Sequence, residues 1–277
     1  MFIDTHLHLV ARKRISYPWL KDVPALNRDW SFEDYEVSAR RIGITGVLHM
    51  EVDCAPEYIA TENTWVSELM LRPDSLMRGA ISSARPEDES FDAFIDTLDL
   101  SIVKGIRRVL HVVPDDVSQT NLFRENVRKI GKKGLPFDIC VLQRQLDIAT
   151  ALIDACPETV FVLDHCGVPD IAGDGFADWS KSITDLAKRQ NVNAKISGIS
   201  AYAKPDWTLD TLRPYVEHII ENFGWKRVVW GSDSPVCTLN SSLDQWMATT
   251  RALIANVSET EKAAFASENA KRIWNLP

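Results

Sequence analysis

Phe2-Ile3-Asp4-Thr5-His6-Leu7-His8-Leu9 is an apolar run that carries two histidines one residue apart. Alternate side chains of an extended strand share a face, so the run predicts a strand with Asp4, His6 and His8 on one side and Thr5 and Leu7 on the other. Two imidazoles at a strand end fill a core poorly and suit acid–base chemistry or metal ligation. They also stand where a dinucleotide-binding sheet would carry its G-x-G-x-x-G turn, which argues against an open doubly wound sheet.

Working outward, the chain repeats one grammar. A connection from Val10 to Trp30, rich in Arg, Trp and Tyr, leads to a helix that opens on Ser31 with Asp34 and ends near Gly43. Strands are then predicted at Ile44–Val52, Leu76–Ser83, Ile102–Val113, Pro136–Leu142, Thr159–His165, Val192–Ser197 and Arg227–Trp230. Helices alternate with them at Thr61–Arg72, Pro86–Leu98, Ser118–Lys133, Gln143–Ala155, Ala177–Gln190 and Asp206–Phe223. Two more, Ser241–Asn256 and Glu259–Leu276, close the chain. The strands are mostly apolar and β-branched, as parallel strands buried on both faces are. Eight strand-then-helix units in 277 residues predict an α/β fold, a (β/α)8 TIM barrel, as a single domain over residues 1–277.

Composition narrows the function. With 31 basic and 39 acidic residues and a net charge of -8, nothing favours nucleic acid or an anionic membrane as partner. No apolar run is long enough for a membrane span. Cys54, Cys140, Cys156, Cys166 and Cys237 form an odd set without a CxxC pair, which excludes a disulfide framework and a structural zinc knuckle. Together with a strand that starts at Phe2, this predicts a cytoplasmic protein.

Active sites of such barrels gather at the C-terminal strand ends. The polar residues there are His6 and His8, His49 and Glu51, Arg107 and His111, His165, Lys195 with Ser197, and Asp233. His218 falls on a helix and reads as a solvated side chain. Arg107 and Lys195 have two readings: pairing with Glu51 or Asp138, or binding a substrate carboxylate or hydroxyl. Asp233 reads as a catalytic carboxylate or as a turn-forming residue before Pro235. His165 reads as catalytic or as a backbone-bonded core histidine.

Phe2-Ile3-Asp4-Thr5-His6-Leu7-His8, Val162-Leu163-Asp164-His165-Cys166-Gly167-Val168-Pro169, Lys195-Ile196-Ser197-Gly198, Trp230-Gly231-Ser232-Asp233-Ser234-Pro235 and Glu268-Asn269-Ala270 together resemble the amidohydrolase superfamily. Within it they are most similar to the branch of sugar-lactone and pyrone-dicarboxylate lactone hydrolases. The resemblance implies a hydrolase that opens a small lactone, with Asp233 as general base and His6, His8 and His165 as donors to the oxyanion. It implies Arg107, His111, Lys195, His49 and Glu51 as substrate-binding candidates. The superfamily pattern also implies a divalent metal, here zinc on His6, His8 and Asp233, but the fifth strand lacks the expected histidine, which favours a site that requires no cofactor. A metal-dependent decarboxylase, a lactone isomerase and a non-catalytic sugar-acid-binding barrel remain as alternatives.

Overall fold

The computed structural model describes residues 1–277. Eight strands, β1 (Phe2–Leu7), β2 (Ile44–Met50), β3 (Met77–Ser83), β4 (Val103–Val109), β5 (Phe137–Cys140), β6 (Phe161–Leu163), β7 (Val192–Ile196) and β8 (Val228–Trp230), pair in parallel in sequence order. Helices α1 (Phe32–Arg41), α2 (Ile59–Met70), α3 (Phe91–Asp96), α4 (Asn121–Lys132), α5 (Leu146–Ala155), α6 (Phe176–Leu186), α7 (Leu209–Phe223) and α8 (Leu243–Leu253) form the outer ring. The chain ends in α9 (Glu259–Ala263), a π-turn at Ala264–Glu268 and α10 (Asn269–Trp274). This is the (β/α)8 barrel that the sequence predicts.

Local chemistry sets many of the boundaries. Ser31 accepts a hydrogen bond from Asp34 N at the start of α1, and Ser258 and Glu261 form a reciprocal capping box at α9. Gly134, at φ 75°, follows the end of α4 in a conformation that side-chain-bearing residues avoid. Several elements are shorter than predicted. β6 stops at Leu163 because residues 165–168 turn left-handed, whereas β8 ends at Trp230 as predicted, ahead of the similarly turned Asp233. The expected helix from Pro86 shrinks to α3, since residues 85–88 form a tight turn closed by Asp88 N donating to the Arg85 carbonyl.

The barrel is joined between β1 and β8. Asp233 N donates to His6 O at 2.8 Å, His8 N to Ser234 O at 2.8 Å, and the Thr5 hydroxyl to Trp230 O at 2.7 Å. Asp4 fastens the same seam with its carboxylate, which accepts from Ser232 N (2.8 Å), from His6 N (3.0 Å) and from the Tyr35 hydroxyl of α1 (2.6 Å). Asp4 therefore does not share a face with His6 and His8 as strict alternation requires. The register of β1 against β2 shifts between Asp4 and Leu7, and that irregularity turns Asp4 toward α1.

The lower barrel is filled by Ile3, Leu48, Met50, Ile81, Val162 and Val229, against which α10 packs Ala270, Ile273 and Trp274. Leu48 and Met50 point inward, so His49 between them points out. It lies against Glu62 (3.5 Å) and Trp65 of α2 and is fully buried, away from the barrel mouth. His218 is not solvated either: its Nε2 donates to Ser180 O at 2.8 Å, and its ring packs on Phe176 and Trp179, joining α7 to α6. All five cysteines are buried and unpaired. No helix is long and apolar enough to cross a membrane.

Removing the Asp4 carboxylate strands three donors in a dry seam. Asp4→Ala should lower unfolding free energy by about 3 kcal/mol, from roughly 1 kcal/mol or more per unsatisfied group. Urea denaturation measures this, and a midpoint unchanged from wild type would show that the seam closes without Asp4.

Candidate active site

The C-terminal end of the barrel collects side chains from β1, β2, β4, β5, β6, β7 and β8. His6 and His8 approach Nε2 to Nε2 at 3.1 Å. His8 Nδ1 lies 3.0 Å from the Met50 carbonyl, which can only accept, so this nitrogen carries the proton and Nε2 of the neutral ring is bare. Burial, followed by Arg107, drives the His8 pKa down to about 3, and burial holds His6 well below the usual histidine range. Both rings are neutral at pH 7.

Asp233 faces these rings from the other side of the seam. Its Oδ1 is 3.5 Å from His8 Nε2 and 3.7 Å from His6 Nε2, while Oδ2 is 3.7 Å from His165 Nδ1. Asp233 is 1% exposed, and neither carboxylate oxygen has a hydrogen-bond partner. Burial pushes its carboxyl up to about 6, with His165 and Arg107 working against that rise. A buried carboxylate left without donors costs several kcal/mol unless a ligand completes it. Capping the following segment, the plainer reading of this residue, would have engaged those oxygens.

Two backbone features aim the site. Asp233 has φ 54°, and the run His165, Cys166, Gly167 and Val168 has φ of 51°, 56°, 74° and 46°, a left-handed turn that directs His165 into the barrel mouth. Its Nδ1 is 2.9 Å from the Ser197 hydroxyl, and its ring lies 4.4 Å from that of His6 and 6.1 Å from that of Tyr202. Gly198, at φ 64°, leaves room for Asp233: a Cβ there would stand 2.1 Å from Oδ2.

Beneath these groups lies a layer of ion pairs. Arg107 Nε donates to Glu51 Oε1 at 2.6 Å and Nη2 to Glu51 O at 2.7 Å, and Nη1 reaches within 3.3 Å of His6 Nε2. Lys195 Nζ lies 2.5 Å from Asp138 Oδ1, 2.9 Å from Asp164 Oδ1 and 3.3 Å from His6 Nδ1. Burial opposes the charge on both basic groups, but the carboxylates beside them outweigh it and hold both protonated. Burial likewise opposes ionisation of Asp164, and Lys195 and His6 reverse that, keeping its pKa well below the usual carboxylate range. Arg107 and Lys195 therefore pair with Glu51 and Asp138, the first of their two readings.

The structure thus brings His6, His8, His165, Asp233, Arg107, Glu51 and Lys195 together. His111 lies past the end of β4, half-buried, with Nδ1 3.5 Å from Cys140 Sγ at the rim. His49 stands outside the barrel wall. Asp164, in contact with His6, Lys195 and Arg107, is the participant that sequence reasoning passed over, and its position beside His165 at a strand end was the available signal.

The parallel eight-stranded barrel places an HxH pair on β1 and an aspartate just past β8 at one end, and the chain belongs to the amidohydrolase family, whose profile matches residues 3–276. It is an amidohydrolase-superfamily enzyme. An uncharacterised Sinorhizobium fredii protein, y4mH, is 26% identical over 99% of this chain and 98% of its own length. L-fucono-1,5-lactonase of Burkholderia ambifaria is 32% identical over 49% of this chain, a match that spans about half (47%) of that relative. A crystal structure of a Burkholderia multivorans amidohydrolase with bound zinc superposes with a TM-score of 0.91 at 21% identity, covering 100% of both chains.

Gly198→Ala tests the aim of Asp233. The added methyl must displace the carboxylate, and a displacement near 1 Å lowers turnover on the order of 100-fold. Steady-state kinetics beside a thermal melt separate this from unfolding: turnover within twofold of wild type would show that Gly198 does not set the Asp233 position.

Proposed function

We propose that this enzyme hydrolyses a small lactone, a sugar-acid or dicarboxylic lactone, with Asp233 as general base. The observation that carries this reading is the Asp233 carboxylate, buried among three neutral imidazoles with both oxygens unpartnered. The half-length likeness to an L-fucono-1,5-lactonase supports the substrate class.

The residues also fit one divalent cation. His6 Nε2, His8 Nε2 and Asp233 Oδ1 form a triangle of 3.1, 3.5 and 3.7 Å. Donors bound at about 2.0–2.1 Å around a tetrahedral zinc stand about 3.4 Å apart. The charges agree with this: Arg107 and Lys195 face four buried carboxyl groups, Glu51, Asp138, Asp164 and Asp233, and burial pushes Asp138 up to about 7 and Asp233 up to about 6, so a bound cation would favour the ionised form of Asp233. Of the two cofactor readings open from the sequence, we therefore take the one-metal site on His6, His8 and Asp233. The ion, when bound, supplies Lewis acidity toward a carbonyl oxygen and acidifies water.

The chain's own groups account for the proton movements. Asp233 Oδ2, turned toward His165, accepts the proton of a water positioned for attack on the lactone carbonyl. His165, held through Nδ1 by Ser197, offers its other ring nitrogen as a hydrogen-bond donor to the developing oxyanion, and the departing ring oxygen takes up the proton held on Asp233 as the ring opens, which restores the base. Arg107, fixed by two bonds to Glu51, adds positive potential next to His6 without leaving its partner.

Turnover of a panel of aldonolactones and dicarboxylic lactones tests the reaction. Asp233→Asn should lower kcat by roughly 10³-fold or more, because both the base and one ligand are lost. Near-normal activity of this variant would remove Asp233 from the role. Chelator treatment should abolish turnover and zinc should restore it; activity indifferent to chelation returns the site to a metal-free scheme with His165 as the imidazole donor to the oxyanion, since the one proton of His8 is held by the Met50 carbonyl.

A further inference from the structure

His6 Nδ1 has two neighbours of opposite hydrogen-bonding sense. Lys195 Nζ, which only donates, is 3.3 Å away, and Asp164 Oδ1, which as a carboxylate only accepts, is 3.5 Å away. All three side chains are fully buried, so water does not compete for the position. A neutral imidazole carries one proton, and the partner at Nδ1 therefore fixes the state of Nε2.

Each choice has a consequence on the other side of the ring. When Lys195 donates to Nδ1, the proton sits on Nε2 and is donated to the bare Nε2 of His8 at 3.1 Å. An unbroken chain of hydrogen bonds then runs from Asp138 through Lys195, His6 and His8 to the Met50 carbonyl. When Nδ1 instead donates to Asp164, two Nε2 lone pairs face each other across 3.1 Å. Arg107 Nη1, 3.3 Å from His6 Nε2, meets one of them; a cation between the rings meets both.

We propose that Lys195 and Asp164 act as a tautomer switch for His6: Lys195 holds the ring in its Nε2–H form, and Asp164 takes over at Nδ1 when a divalent cation binds. The proton passes from Nε2 to Nδ1 of the same ring, none is gained or lost, and the freed lone pair meets the ion. Asp164 and Lys195 are thus positioning residues that act through His6. Lys195 keeps its bonds to Asp138 and Asp164 in both states, so the switch leaves the ion-pair layer intact. This rests on the one-metal reading of the site and not on the identity of the substrate.

Nitrogen-15 spectra of the full chain labelled at histidine, stripped with chelator and then titrated with zinc, test the switch, with His6→Gln used only to assign the His6 signals. His6 should carry its proton on Nε2 without zinc and on Nδ1 with it, while His8 carries its proton on Nδ1 throughout. In parallel, Asp164→Asn should weaken zinc affinity about 10- to 100-fold in a chelator competition, as loss of an outer carboxylate does for a ligating histidine. The proposal is overturned if His6 shows one tautomer under both conditions, if the protein takes up no zinc, or if Asp164→Asn holds zinc as wild type does. Should that variant not fold, the wild-type spectra decide alone. A switch observed in a protein that opens no lactone would remove the lactonase reading and leave this one standing.

Discussion

The seam between β1 and β8 is the constraint on which the rest depends. Backbone hydrogen bonds from Asp233 N to His6 O and from His8 N to Ser234 O close the barrel, and the same two bonds set residues more than two hundred positions apart at ligand distance. Closure and site assembly are therefore one event. Asp4 sits behind that seam with three donors on its carboxylate, and its interest is structural: it fixes the irregular end of β1 from which His6 and His8 both turn toward Asp233. A regular strand would have kept Asp4 in the mouth and added a fifth buried carboxyl group beside Glu51, Asp138, Asp164 and Asp233, where burial already pushes Asp138 and Asp233 up.

That crowding of carboxyl groups organises the interior. Hydrophobic side chains fill the lower barrel up to Trp274, whose ring lies 5.4 Å from Lys195 Nζ, and above it the charged side chains and imidazoles gather. Buried ions are stable only when paired and hydrogen-bonded. Arg107 and Lys195 are paired with Glu51, Asp138 and Asp164, whereas Asp233 has no Arg or Lys beside it and faces only imidazoles. The layer of ion pairs thus serves as a rigid floor, and the incomplete group stands above it where a substrate, water or cation can complete it.

The eight units were legible because each leaves a local signature: apolar β-branched strands, a serine cap at Ser31 or Ser258, a glycine after α4. The site was legible to the extent that strand ends predict it, which brought out His6, His8, His165 and Asp233. What sequence could not supply was the facing of individual side chains. His49 occupies a strand end as His6 does, yet the inward packing of Leu48 and Met50 sends it to α2; only the register of β2 in the barrel decides this. Asp164 was hidden for a related reason. Its contacts with Lys195, Arg107 and His6 come from three other strands, and no spacing within β6 announces them.

Backbone strain marks the same residues. Outside glycine, the left-handed region costs about 1 kcal/mol or more per residue, and the penalty is greatest for a β-branched side chain such as Val168. His165, Cys166, Val168 and Asp233 all occupy it, just past the ends of β6 and β8. Relaxing these turns would lift that strain. It would also rotate His165 off Ser197 and Asp233 out of the space that Gly198 leaves for it. Strained turns are thus the structural cost of holding an unpartnered carboxylate against three imidazoles, and the closed, well-packed barrel below supplies the stability that makes the arrangement tenable.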